Sequence, residues 1–351
     1  MRDIITDYWM NPMDLLIDGI FKKKKRTFII AEIGSNHNQD KNLAFQTIDA
    51  AVEAGADAVK FQSINIEELY LSPNNSIKKL HRKIDLEEDW HYSLKKYCDS
   101  KRTIFFSTPT YLRSVDILEK IDVQLYKIAS AQAGTFPQLV EKVVETEKPV
   151  LLSTGLTTYG DLEKIVRLFR RKNNNHFVIL HCNSIYPTPY DKVNLRLIGV
   201  YKSMFGNPVG FSDHTQHIYI SLAAVTLGAA VIEKHFTLNK KLLVPDAAIS
   251  LDPHEFKSMV DGIRAIEKSM QFKDRIFIEE EENVFKNDIC YRLILKNNKM
   301  CNDSFLETDF DFKRHPVGID CNDLKIVLNY MKAQKDLPKG TLLSWDLLTG
   351  K

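Results

Sequence analysis

Ionisable and hydroxyl-bearing side chains recur at the ends of short apolar segments along residues 28–270. In VIEKHFTLNK (231–240) the apolar start runs directly into Glu233, Lys234 and His235. Burying an unpaired charge is costly, so a strand with this ending either opens into solvent or directs its charges at a ligand. Comparable polar residues close the other apolar segments: Glu32, Lys60, Gln62, Ser107, Thr108, Lys127, Ser130, Ser153, Thr154, residues 181–184 and residues 212–214.

These residue types suit an anion site beside a divalent metal. Lysines and hydroxyls bind phosphate or carboxylate, and His214 and His235 are of the kind that hold metal ions. Each residue also has a plainer explanation: serine and threonine cap helices, lysines enter structural ion pairs, and a lone histidine is usually a hydrogen-bonded core residue. Two histidines on consecutive segment ends favour the metal, whereas His181 is compatible with either explanation.

The apolar segments alternate with longer segments of helical spacing, such as LAFQTIDAAVEAGA. This alternation indicates a parallel sheet covered by helices. Eight such units predict a closed (β/α)8 TIM barrel. We prefer it to a doubly wound open sheet because no GxGxxG follows the first strand. Catalytic groups of barrels collect at the C-terminal ends of the strands, so the polar residues should share one mouth. The predicted strands are FIIAEIG, DAVKFQS, TIFFSTP, QLYKIAS, PVLLSTG, FVILHCNS, PVGFSD and VIEKHF.

The pattern predicts four segments. Residues 1–26 form an N-terminal extension, and residues 27–272 form the barrel. Residues 273–287 are charged and non-repeating, which is typical of a linker. Residues 288–351 contain short apolar runs divided by turn signals such as LPKG, which predicts a small β-rich domain.

Composition narrows the function classes. The chain has 351 residues, of which 44% are hydrophobic and 27% charged, with a net charge of +2. This balance gives no argument for nucleic acid, and no apolar run reaches the roughly 18 residues of a membrane helix. The basic cluster at residues 22–26 follows the apolar residues of the N-terminal segment instead of preceding them, so we expect a cytoplasmic protein. Five cysteines without a CxxC pair indicate reduced thiols.

Several motifs together resemble the sialic acid synthase family, which contains N-acetylneuraminate, legionaminate and pseudaminate synthases. The resemblance covers about residues 28–270. The tail resembles the C-terminal antifreeze-like (SAF) domain of that family through KRHPVGID and KDLPKGTLL. The motifs, in order, are FIIAEIGSNHNQD, AGADAVKFQ, FFSTP, YKIAS, PVLLSTG, HCNSIYPTP, VGFSDHT and VIEKHFTL.

The resemblance implies a reaction. Phosphoenolpyruvate would condense through C3 with the aldehyde of an open-chain N-acylated hexosamine, and phosphate would leave as water enters at C2. His214 and His235 would hold Mn²⁺ or Mg²⁺, and Glu32 would handle a proton. Lys234 would lie beside the anionic substrate. The groups implied around phosphoenolpyruvate are Lys60, Lys127, Ser130, Ser153 and Ser212. Those implied to bind substrate elsewhere, mainly the sugar, are Gln62, Thr108, Ser184, Tyr186 and Asp246.

The tail also has an implied role. Arg292 matches a family arginine that reaches the sugar's N-acyl group in the partner chain, which implies a domain-swapped homodimer. The chain departs from the family at Gln39, where glycine is usual, and in VPDAAIS (244–250), where a histidine usually follows Asp246. The second departure bears on the choice of sugar, because PDAAIS is closer to the pseudaminic branch.

Other functions compete with this one. A legionaminate or pseudaminate synthase is the nearest alternative. A synthase for phosphorylated sugars would need a further basic cluster, which is not apparent. A Schiff-base aldolase would use Lys127 or Lys60. A non-catalytic barrel that binds acidic sugars is the alternative from another class.

Overall fold

The computed structural model describes residues 26–272 and 274–351. The predicted N-terminal extension, apart from Arg26, lies outside the described residues. The chain divides into two compact units, one ending at Gln271 and the other spanning Phe272–Lys351.

Eight parallel strands build the first unit, one in each predicted apolar segment. They hydrogen-bond in the order β3-β2-β1-β8-β7-β6-β5-β4. The strands at the two ends of this order, β3 and β4, are also neighbours, so the sheet curves into a nearly closed barrel. The predicted (β/α)8 barrel is therefore confirmed. The strands are β1 (Phe28–Gly34), β2 (Ala58–Ser63), β3 (Ile104–Pro109), β4 (Tyr126–Ile128), β5 (Val150–Ser153), β6 (Phe177–Cys182), β7 (Val209–Asp213) and β8 (Val231–His235).

Helices cover the outside of the barrel. In the helix Tyr159–Arg171 the buried residues Leu162, Ile165, Val166 and Phe169 form one apolar face at helical spacing. Among the described residues, none of the helices has the length and apolar character needed to cross a membrane. The helices of this unit are α1 (Lys41–Glu53), α2 (Ile66–Leu69), α3 (Asn75–Ile84), α4 (Glu88–Ser100), α5 (Leu112–Lys120), α6 (Ser130–Thr135), α7 (Pro137–Val144), α8 (Tyr159–Arg171), α9 (Leu197–Phe205), α10 (Tyr219–Thr226) and α11 (Pro253–Ser269), with a 3-10 turn at Tyr190–Lys192.

The inner face of the barrel changes from apolar to polar along each strand. Side chains alternate between the two faces of a strand, so residues two apart share a face. In β8 the buried apolar Val231 is followed on the same face by Glu233 and His235. In β1 the residues Phe28 and Ile30 precede Glu32 in the same way. The apolar residues fill the N-terminal half of the barrel, and the polar residues are left at its C-terminal mouth.

The second unit is small and has its own apolar core, which includes Leu293, Phe310 and Leu343. Two antiparallel pairs, β9 with β10 and β11 with β12, account for its strands. A helix, α12 (Glu280–Ile289), occupies much of the predicted linker. The other elements are β9 (Tyr291–Leu295), β10 (Phe310–Arg314), α13 (Leu324–Tyr330), β11 (Met331–Ala333), β12 (Leu348–Gly350) and 3-10 turns at Glu307–Asp309, Cys321–Asp323 and Trp345–Leu347.

Candidate active site

The strand ends enclose a cavity of about 370 Å³. Most of the predicted site residues line it, although they come from all parts of the barrel sequence. The cavity lining also contains Thr110, Cys182 and Glu233, to which the sequence analysis assigned no role. The predicted residues in the lining are Glu32, Lys60, Gln62, Thr108, Lys127, Ser130, Ser153, Ser184, Tyr186, Ser212, His214 and His235.

Two carboxylates and two lysines alternate across the floor of the cavity. Lys60 Nζ lies 2.7 Å from Glu32 Oε2 and 3.8 Å from Glu233 Oε2. Lys127 Nζ lies 3.1 Å from Glu233 Oε1, which also accepts a 2.8 Å hydrogen bond from Ser212 Oγ. All four charged side chains are at most 5% exposed. Glu233 therefore joins the two lysines and fixes both ammonium groups at the floor of the cavity.

The two carboxylates have opposite pKa shifts. Burial raises the pKa of Glu32 to about 7; Lys60 opposes this shift and the negative charge of Glu233 adds to it. Burial also acts to raise the pKa of Glu233, but Lys127 and Lys60 outweigh it and lower that pKa to about 2. Glu233 is therefore an anion at neutral pH, whereas the raised pKa of Glu32 puts its proton exchange near neutral pH. A carboxyl group with a pKa near the working pH suits general acid or base catalysis.

Hydroxyl groups from neighbouring strand ends form a second wall. Ser130 Oγ accepts a 3.0 Å hydrogen bond from the Gly155 N–H, and Ser153 Oγ is buried without a hydrogen-bond partner among the described residues. A Cβ at Gly155 would lie 2.5 Å from Ser184 Oγ and 2.8 Å from Ser130 Oγ. Glycine at this position lets the backbone come close to these hydroxyls. The unpaired Ser153 hydroxyl is available to a ligand.

His214 and His235 lie next to each other at the cavity, with ring centroids 5.5 Å apart. Burial lowers the pKa of His214 to about 4 and the pKa of His235 well below its ordinary value, so both rings are neutral at pH 7. His214 Nδ1 donates to Asn183 O over 2.7 Å, which leaves the lone pair on Nε2. Neutral imidazoles are the form that binds metals.

These two residues fit a divalent ion that keeps several non-protein ligands. His235 Nδ1 is buried and has no hydrogen-bond partner among the described residues; the nearest carboxylate oxygen, Asp246 Oδ2, is 3.7 Å away. Within residues 26–272 and 274–351 there is no group of three or more His, Cys, Asp or Glu that could hold a metal. Coordination would therefore rest on the two imidazoles, with other positions left to water and substrate.

The loop that contains Asp246 is tied to the turn that follows the first strand of the barrel. Asn36 Oδ1 accepts from the Asp246 N–H over 2.9 Å, and Asn36 Nδ2 donates to Phe236 O and to Ser250 Oγ, each over 2.9 Å. Asn36 is 2% exposed. Sequence analysis missed Asn36 because its partners lie 200 to 214 residues away in the chain.

Lys234 departs from its expected position. It was expected beside the anionic substrate, but it lies on the outer face of β8, where its Nζ is 3.0 Å from Asp213 Oδ2. Both side chains are fully buried. The alternation of strand faces puts Glu233 and His235 inside and Lys234 outside, so counting by two from Val231 would have found Glu233 as the site residue.

Arg292 lies in the C-terminal unit, on β9. Its Nη1 is 2.9 Å from Asp320 Oδ2, and its Nε donates to His315 O over 3.1 Å. The guanidinium is thus held in one orientation within its own unit.

Comparison with known proteins identifies the family. The NeuB family model matches residues 47–275. An uncharacterized protein of Methanocaldococcus jannaschii is 41% identical over 95% of this chain and 98% of its own length. The N,N'-diacetyllegionaminic acid synthase of Campylobacter jejuni is 36% identical, over 84% of this chain and 92% of its own length. The crystal structure of N-acetylneuraminic acid (sialic acid) synthetase from Leptospira borgpetersenii in complex with citrate is 34% identical, with a TM-score of 0.68, and the match covers 75% of this chain and 92% of that one. The chain therefore belongs to the NeuB family.

Proposed function

We propose that the protein condenses phosphoenolpyruvate with an open-chain N-acylated hexosamine to give a nine-carbon 2-keto sugar acid and phosphate. The observation that carries this proposal is the composition of the cavity. Two buried lysines and the unpaired hydroxyl of Ser153 lie in the same cavity as two neutral imidazoles. An anionic substrate and a polarised carbonyl group need these two environments side by side. The named synthases of legionaminic and sialic acid among the relatives support the same reaction class.

Phosphoenolpyruvate is assigned to the lysine side of the cavity. Lys60 and Lys127 supply positive charge, and the hydroxyls of Ser130 and Ser153 donate hydrogen bonds to phosphate or carboxylate oxygens. Ser212 would join them by turning its hydroxyl hydrogen from Glu233 to the substrate. Glu233 keeps both ammonium groups in place before the substrate arrives, so little reorganisation is needed on binding.

A divalent ion, Mn²⁺ or Mg²⁺, is assigned to His214 and His235. When bound, it would polarise the sugar aldehyde as a Lewis acid. The chain's own part is to present two neutral imidazoles at a fixed spacing, next to the lysine-lined floor.

Glu32 is assigned as the proton donor in the addition step. The bond between C3 of phosphoenolpyruvate and the aldehyde carbon forms as the aldehyde oxygen gains electron density and takes up a proton. The carboxyl of Glu32, with a pKa of about 7, can hold that proton near neutral pH. Water then adds at C2; one of its protons restores the carboxyl of Glu32, and the other leaves with phosphate as the C2–O bond breaks and the C2 carbonyl group forms.

The sugar is assigned to the side of the cavity lined by Gln62 and Tyr186, with Thr108 and Ser184 elsewhere in the lining. Asp246, which is outside the lining but 3.7 Å from His235 Nδ1, is assigned to the same substrate. Gln62 Nε2 donates to Glu32 Oε1 over 2.7 Å, and the Tyr186 ring lies 4.2 Å from the His214 ring, centroid to centroid. We extend the proposal to Arg292 as a contact for the N-acyl group in the partner chain of a homodimer.

A Schiff-base aldolase is disfavoured by the state of one lysine. Burial acts to lower the pKa of Lys60, but the negative charges of Glu233 and Glu32 outweigh burial and raise that pKa. A protonated amine does not attack a carbonyl group, and Lys127 is paired with Glu233.

Phosphate release tests the proposal. The protein is incubated with phosphoenolpyruvate and Mn²⁺, and with N-acetylmannosamine, the diacetamido precursors of legionaminic and pseudaminic acids, or no sugar. We expect sugar-dependent release that EDTA abolishes and that His235→Ala lacks, and the active sugar identifies the branch. Release without sugar, or release resistant to EDTA, would contradict the proposal. A borohydride-trapped pyruvate adduct would instead support the aldolase.

A further inference from the structure

A buried polar network lies directly behind the two histidines, on the outer face of β7 and β8. Asp213 and Lys234 are register partners on these adjacent strands, and their side chains form the 3.0 Å ion pair. Asp213 Oδ2 also accepts a 2.6 Å hydrogen bond from Ser221 Oγ of α10. Asp213, Lys234, Ser221 and Thr215 are all 0% exposed. None of them lines the cavity.

This network fastens the backbone around His214. Asp213 Oδ1 accepts a 2.8 Å hydrogen bond from the Thr215 N–H, and Lys234 Nζ donates to Thr215 O. Both backbone groups of the residue after His214 are therefore held by side chains from two different strands. Lys234 immediately precedes His235, so the same ion pair connects the two strand ends that carry the imidazoles.

Stability alone does not account for a charged pair at this position. Desolvating two charges costs several kcal/mol, and apolar residues of similar volume are often as stabilising or more so. Apolar residues, however, could not accept from the Thr215 N–H or donate to its carbonyl. The charged pair therefore fixes the orientation of the Thr215 N–H and carbonyl groups, which an apolar pair could not do.

We propose that Asp213 and Lys234 are positioning residues that set the spacing of His214 and His235 for a divalent ion. The inference rests on the proposed metal site and deepens it. Partners behind metal ligands commonly change metal affinity by about 10- to 100-fold when they are replaced. The pair would act in this way through the backbone, without contact to metal or substrate.

The double variant D213N/K234M tests the proposal in the full chain. It removes both charges together, so no unpaired charge is left buried, and the amide oxygen of the introduced asparagine keeps an acceptor for the Thr215 N–H. Binding of Mn²⁺ to metal-free protein is measured by calorimetry, beside the thermal unfolding midpoint and the steady-state kinetics. We expect the variant to fold, to bind Mn²⁺ about 10-fold or more weakly, and to lose kcat with little change in the KM for phosphoenolpyruvate.

A second, partly buried pair provides the control. Asp57 and Arg264 form a 3.1 Å ion pair at the opposite end of the barrel, before β2. The variant D57N/R264M removes charges of the same kind and should leave Mn²⁺ affinity unchanged. If D213N/K234M does not fold, Ser221→Ala removes one hydrogen bond to Asp213 and should weaken Mn²⁺ binding by about two- to fivefold.

The outcomes separate two failures. Equal Mn²⁺ affinity in wild type and D213N/K234M, or in wild type and Ser221→Ala where that variant is used, would overturn the positioning role. If wild type binds no Mn²⁺, or binds it as well after His235→Ala, the metal site itself is wrong, and the positioning role is overturned with it.

Discussion

Replacing Glu233 with glutamine tests the link between the two lysines of the cavity floor. Glutamine keeps the shape of the side chain and removes its charge. The carboxylate touches Lys127 at 3.1 Å, Lys60 at 3.8 Å and Ser212 at 2.8 Å, and it is the partner of Lys127 in the described structure. Its removal leaves a buried ammonium group without its counter-charge, which is a strongly destabilising change.

The pKa of Glu233 gives the size of the effect. The two lysines lower this pKa from 4.5 to about 2 against the opposing effect of burial. Each pKa unit corresponds to about 1.4 kcal/mol, so the charged form is favoured in the folded protein by about 3 kcal/mol at pH 7. The sign follows from the lowered pKa: this stabilisation is present above pH 4.5 and is lost as the pH falls toward 2.

The assay is urea-induced unfolding at pH 7, followed by circular dichroism, of wild type and two glutamine variants. Glu233→Gln should lose about 3 kcal/mol in the free energy of unfolding. The control is Glu163→Gln, which breaks an exposed 2.7 Å pair with Arg167 and should cost less than about 0.5 kcal/mol. Equal losses in the two variants would show that the lysines do not depend on Glu233. The difference between wild type and Glu233→Gln should also narrow below pH 4.5.

Three further predictions concern other groups. With Glu32 as proton donor, kcat/KM should fall as the pH rises through about 7, and Glu32→Gln should remove this pH dependence. The same fall of kcat/KM in the Glu32→Gln variant would refute the assignment. Burial lowers the pKa of His37 to about 4, so the folded protein loses stability as the pH falls from 6.5 toward 4. His37→Leu should reduce the loss in unfolding free energy between pH 7.5 and 5 by about 2 kcal/mol, and an unchanged loss would contradict this cause. Arg292→Ala should raise the KM for the sugar more than that for phosphoenolpyruvate, and equal effects would argue against a sugar contact.

The barrel and most of the cavity were predictable because they rest on short-range patterns. Apolar strands that alternate with amphipathic helices define the closed sheet, and polar residues at strand ends mark its mouth. Glu32, Lys60 and Lys127 were found in this way although they lie on different strands. The inference needs only the fact that parallel strands in a barrel end on the same side.

The features that the sequence analysis missed depend on which face of a strand a side chain occupies and on contacts between residues distant in the chain. Residues 233–235 are all ionisable, so their types alone do not show which of them point into the barrel. Counting alternate positions from Val231 identifies Glu233 and His235. The helix Glu280–Ile289 occupies much of the predicted linker at residues 273–287, although glutamates in its first turn are a recognised signal at a helix start. The contact from Asn36 to Asp246 spans 210 residues and leaves no trace in any local pattern.

For the proposed contact between Asp246 and the sugar, the hydrogen bonds made by Asn36 bear on how acceptor preference could change during evolution. They fasten Asp246 through its N–H and Ser250 through its hydroxyl, and Ile249 between them is buried. Ala247 and Ala248 are left as the more accessible residues of a short loop with fixed ends. New side chains can enter at these two positions while Asp246 stays beside His235. Divergence in substrate preference would then require substitutions rather than a rebuilt loop, and exchange of these two residues between relatives is the smallest change that could transfer it.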